Sequence, residues 1–150
     1  MKRIIGILFL CVIVLSGCIG RNNYYAGIEK KDIFDSKSTT NIEFVYMYKG
    51  HTDNWSAVYY VYKLKDNENH TSKMILKYIG EKPLPAEELS YKFDTVGGGG
   101  AGSLSTADSK DGIYNLGYSE SNGSLASQDS IVKMQVNWSG VSEIIELKPS

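Results

Sequence analysis

Between Ile42 and Leu147 the apolar residues of this chain fall in short runs that recur at every second position, and no stretch of that region holds a helical spacing beyond two turns. Period two places alternate side chains on opposite faces of an extended backbone, so a chain patterned this way must pair its strands and bury one face of each. Ile42, Phe44, Tyr46 and Tyr48 alternate with Glu43, Val45, Met47 and Lys49. In the next run Trp55, Ala57, Tyr59 and Val61 point one way, and Val58, Tyr60, Tyr62 and Leu64 the other. Both faces there are apolar, which places this strand at the centre of its sheet. Asp66-Asn67-Glu68-Asn69 is turn chemistry, and Ser72 to Ile79 returns as the second arm of an antiparallel hairpin. Tyr91 to Thr95, Ile113 to Tyr118, Ile131 to Trp138 and Val141 to Leu147 follow, the last two joined at Ser139-Gly140, a two-residue hairpin signal.

That makes about seven short strands, the pattern of an all-β, immunoglobulin-like antiparallel β-sandwich, with a small barrel as the alternative. The expected core holds Phe44, Tyr46, Trp55, Tyr59, Val61, Leu76, Phe93, Val132, Val136, Trp138 and Ile145. Two segments look irregular. Gly97 to Ser105 is glycine-rich and reads as a loop, or as a bulged strand where backbones approach closely. Ser119 to Ser130 reads as a polar loop.

The first residues follow a different rule. Lys2 and Arg3 precede an apolar run from Ile4 to Leu15, broken only by Gly6. As a helix that run covers about 18 Å at ~1.5 Å per residue, well short of a hydrocarbon core of about 30 Å. It is a signal segment rather than a membrane span. It ends in Leu15-Ser16-Gly17-Cys18, which resembles a bacterial lipobox: cleavage falls between Gly17 and Cys18, and the Cys18 thiol takes a diacylglycerol. The expected division is a signal peptide over 1–17, a lipid-anchored tether over 18–41 and the β-domain over 42–150. Within the tether, Ile28, Ile33 and Phe34 could dock as a short strand or a helical turn.

Composition then narrows the partners. Of two cysteines, Cys11 leaves with the signal and Cys18 carries lipid, so the mature chain has no thiol for a disulfide, a metal site or a nucleophile. Its formal net charge moves from −1 to −3, because the departing segment holds Lys2 and Arg3 and no acid. Such a chain does not bind nucleic acid through overall basicity, and it has no polybasic patch for anionic lipid. The expected partners are the membrane, through diacylglycerol on Cys18, and an envelope protein or wall component.

Motifs that carry chemistry are sparse. The glycine run lacks the Lys-Ser/Thr ending of a phosphate loop. His51 and His70 both sit in or beside turns, where a catalytic triad is not expected. His51 with Asp53, and Asp108 with Asp111, fall short of the ligand count of a metal site. Glu87 and Glu88, and Glu143 with Glu146, read as solvated acids. No catalytic residue, cofactor or metal is therefore expected. The candidate binding surface is His51, Asp53, Asn54 and Trp55 together with Gly97, Gly98, Gly99 and Gly100.

Several of these elements carry a resemblance. The lipobox, the polar tether, the run Gly50-His51-Thr52-Asp53-Asn54-Trp55, the glycine-rich loop and the final hairpin through Val136-Asn137-Trp138-Ser139-Gly140 are similar to small membrane lipoproteins of Bacillus-type Gram-positive bacteria. The likeness spans Ile42 to Lys148. His51 and Thr52 stand where Glu and Ser are usual in that pattern, and Ser139 where Asn is usual; Asn54 and Trp55 match. The resemblance implies a lipid-anchored, extracytoplasmic β-domain on the cell membrane, and it supplies no catalytic residues.

Overall fold

The computed structural model describes residues 23–29, 32–34, 41–84 and 87–150. The segment expected as a signal peptide (1–17) and Cys18 lie outside them. Among the described residues the chain is all-β, and no helix is long and apolar enough to cross a membrane.

Nine antiparallel strands form: β1 (Ile42–His51), β2 (Trp55–Leu64), β3 (His70–Tyr78), β4 (Leu89–Thr95), β5 (Gly98–Leu104), β6 (Ser109–Lys110), β7 (Ile113–Ser121), β8 (Val132–Trp138) and β9 (Val141–Pro149). They make one curled sheet in the order β5-β4-β8-β9-β1-β2-β3-β7-β6. The expected seven strands in two separate sheets are thus nine in one. The difference lies at β1 and β9, which pair at Tyr48 with Pro149 and at Lys49 with Lys148, and then diverge. Gly50 permits that crossing, since a Cβ on it would lie 2.3 Å from the Glu146 carbonyl oxygen. A period-two pattern does not encode which strands join, so this connection was invisible in it.

The curl brings the inner faces of β1–β3 and of β4, β8 and β9 onto one core. Trp55 is fully buried near its centre, with edge-on contacts to Trp138 at 5.4 Å and Tyr78 at 5.0 Å. Of the expected core residues, Phe44, Tyr46 and Phe93 are only partly buried, while the rest are buried. Tyr48, Met74, Leu89, Tyr114, Met134 and Leu147 join them. The both-sided strand β2 is central, as its pattern requires. Its second face carries Val58 and Tyr60, which with Ile75 and Ile33 form a smaller outer cluster.

That outer cluster is covered by the segment expected as tether. Tyr25, Ile28 and Phe34 pack on it beside buried Ile33. Ser56 Oγ donates to the Tyr24 carbonyl at 2.7 Å, Lys77 Nζ to the Ala26 carbonyl at 2.7 Å, and Lys73 Nζ to the Asp32 carbonyl. Three apolar side chains spaced along residues 28–34 suffice to cover the exposed face of a central strand, and docking is the outcome.

The glycine-rich run forms the edge strand β5 and is not a loop. Tyr91 and Phe93 of β4 stand opposite Gly102 and Gly100. A Cβ on Gly100 would lie 2.6 Å from the Phe93 ring, and one on Gly102 would lie 3.1 Å from the Tyr91 ring. The rings lie across the strand where side chains would otherwise stand, so aromatic-to-glycine pairing replaces the usual cross-strand contact. Two tight turns form, the first of them at the expected Ser139-Gly140. Ser139 and Gly140 take φ of 45° and 76°, and Asp111 and Gly112 take 53° and 74°. Two successive positive φ values match the right-handed twist of the strands they join.

Candidate functional site

The loop between β1 and β2 is built from the side chain of Thr52. Its Oγ accepts the Trp55 N–H at 3.2 Å, and the Thr52 N–H donates to the Trp55 carbonyl at 2.8 Å. The loop is clamped from β9 by Glu143, whose Oε1 accepts from Asn54 Nδ2 at 2.6 Å and whose Oε2 accepts from the Thr52 hydroxyl. Glu143 is therefore no solvated acid. It is partly buried and fixes the loop. Its signal was present in the alternation, which sets Glu143 on the inward face with Ile145 and Leu147. A carboxylate on a buried face needs donors, and the loop supplies two.

This loop forms one wall of a cleft of about 810 Å³. His51, Thr52, Asp53 and Asn54 line it on one side, and Lys77, Tyr78, Ile79, Glu81 and Lys82 on the other. Asn23 and Tyr24 from the docked N-terminal segment complete it. Tyr24 stacks on the His51 ring at 3.8 Å with 24° between the planes. The Ile79 N–H donates to the Asn54 carbonyl at 2.8 Å, tying the two walls together. Gly80 leaves room at the base. A Cβ there would lie 2.5 Å from the Tyr78 hydroxyl and 2.6 Å from Asn54 Oδ1.

The sequence-derived candidates separate. His51, Asp53 and Asn54 share the cleft. Trp55 is wholly buried in the core and offers no binding surface. The Gly97–Gly100 segment lies elsewhere: the Glu143 clamp shares a rung with Val136 and Tyr91, whereas the turn into β5 follows Thr95 at the far end of β4. There a Cβ on Gly97 would lie 2.3 Å from the Ser124 carbonyl oxygen, so this glycine serves a close backbone approach. Tyr24, Tyr78, Glu81 and Lys82 were not singled out by motif, because strand order and docking bring them to the β1–β2 loop from two distant stretches.

In the cleft the charges balance, Lys77 and Lys82 against Asp53 and Glu81. Amides, hydroxyls and a stacked aromatic pair provide hydrogen bonds and a flat apolar face, which suits a polar ligand. His70 is elsewhere, buried at the start of β3, and burial holds its pKa below the ordinary 6.5. Among the described residues no three His, Cys, Asp or Glu side chains gather as a metal site. Asp108 accepts from the Ser105 N–H at 2.6 Å and hydroxyl at 3.0 Å, and the backbone bond first, then the hydroxyl, lowers its pKa below the usual carboxylate value.

Comparison with protein-family models, with curated proteins and with solved structures returns no match.

Proposed function

We propose that this protein is a lipid-anchored, extracytoplasmic binding module of the cell envelope, non-enzymatic, held on the outer face of the cell membrane by diacylglycerol on Cys18. The observation that carries the reading is the cleft. The N-terminal segment that follows the lipobox supplies Asn23 and Tyr24 to its wall, and Tyr24 stacks on the loop residue His51. The anchor confines the cleft to the membrane, which raises the effective concentration of ligands found there.

The likeness to small Bacillus-type lipoproteins belongs to the same proposal and supplies its location. The finer fold does too: two half-sheets closing on a shared core support a variant of the immunoglobulin-like sandwich, bridged where β1 meets β9. The test has two arms. Cys18→Ala is expected to release the protein from membranes or leave it unprocessed. A photo-crosslinker at position 53, activated in living cells, is expected to recover one envelope component reproducibly. A diffuse background would contradict the binding role and favour a structural envelope protein without a specific ligand.

A further inference from the structure

The docked N-terminal segment runs lengthwise along the sheet. It starts at the cleft, where Tyr24 accepts from Ser56 at the beginning of β2. Ala26 follows at Lys77, near the end of β3 in the cleft wall, and Asp32 lies farther along at Lys73. Phe34 then meets Tyr62 edge-on at 4.9 Å, and the Asn41 carbonyl accepts from Lys65 N–H at 3.0 Å beside the β2–β3 turn. Among the described residues, the segment thus meets the body first at the cleft and last at the opposite end of β2. Those ends are about 30 Å apart, from ten residues at ~3.3 Å per step.

This course shortens the tether. If all of 18–41 were free, the domain could stand up to about 80 Å from the anchor at ~3.5 Å per residue. Asn23, the first described residue of the docked segment, lies five residues after Cys18, and five residues reach at most about 18 Å. That limit is a property of covalent geometry and holds for any conformation of residues 18–22. It is shorter than β2 itself, so the cleft end is held beside the bilayer while the β2–β3 turn is free to point away.

We propose that the cleft end is the membrane-facing surface of the molecule, and that the cleft opens on the phospholipid headgroups. This rests on the anchored reading above and narrows its ligand to that headgroup layer. A headgroup offers phosphate oxygens and polar donors, which Lys82, the Tyr78 hydroxyl and Asn54 complement. Since the charges of the cleft balance, the short tether and not attraction sets the orientation.

The lipidated full-length protein tests this in vesicles of phosphatidylglycerol and phosphatidylethanolamine carrying a headgroup-linked acceptor dye. Cys18 is acylated, so an introduced cysteine is the sole free thiol of the mature chain. Lys82→Cys marks the cleft and Glu68→Cys the far turn; both positions are exposed. Energy transfer is expected to be several-fold stronger from position 82 than from position 68, and to persist at high salt. Adding Ile33→Asp undocks the segment, and the advantage of position 82 is expected to disappear. Flotation with the vesicles separates the two claims. Protein that floats but transfers equally from both positions, or better from position 68, overturns the orientation alone. Protein that does not float overturns the anchor, and the orientation with it.

Discussion

Glu143 shows how one side chain can hold a site it was not expected to belong to. Its two oxygens engage Thr52 and Asn54, so the loop carrying His51 and Asp53 keeps its place against β9. Glu143→Ala leaves both donors without their acceptor. The expected loss is about 1–3 kcal/mol of stability, seen in the denaturant midpoint, together with a weaker crosslink at position 53. Glu143→Gln keeps one acceptor and should lose less. His70 gives a second residue-scale expectation. Burial lowers its folded pKa below 6.5, so the unfolded chain binds the proton first on acidification. Stability is then fully present above about pH 6.5 and falls as pH drops below it, until folded His70 protonates too. Thermal melts between about pH 8 and pH 5 should show this slope, and His70→Gln should flatten it.

At the scale of the elements, the two hairpins β2–β3 and β8–β9 were legible, and the pairings between strands distant in sequence were not. The alternation in Trp55–Leu64 located β2 and its two apolar faces, because burial demands that pattern whatever the topology. The glycine run left loop and strand open for β5, since strand propensity is read from side chains and here the opposing strand supplies them through Tyr91 and Phe93. The β1/β9 join was equally hidden. It depends on Gly50, whose missing side chain makes room for the backbone at Glu146. Gly50→Ala therefore forces backbone apart, and an expected cost of about 1–3 kcal/mol should appear as a drop of several degrees in Tm with the sheet retained. An unchanged Tm would show that β1 and β9 do not approach this closely.

Across the whole molecule, one wall of the candidate site was legible. His51, Asp53 and Asn54 stood out as a polar loop before a long strand, whereas Trp55 in the same run belongs to the core. Tyr24, Tyr78 and Lys82 were not legible, because their meeting depends on a segment that docks along the outer face of β2 and β3. That docking also shapes the proposed anchor: it leaves a link of five residues from Cys18 to the docked Asn23, in place of a tether running to residue 41. The proposed anchor and orientation both turn on the chemistry at Cys18. The most direct measurement is the mass of the N-terminal peptide of the mature protein isolated from membranes. The account predicts a chain beginning at Cys18 and carrying diacylglycerol on its sulfur. An uncleaved chain beginning at Met1, or an unmodified cysteine at position 18, would contradict it.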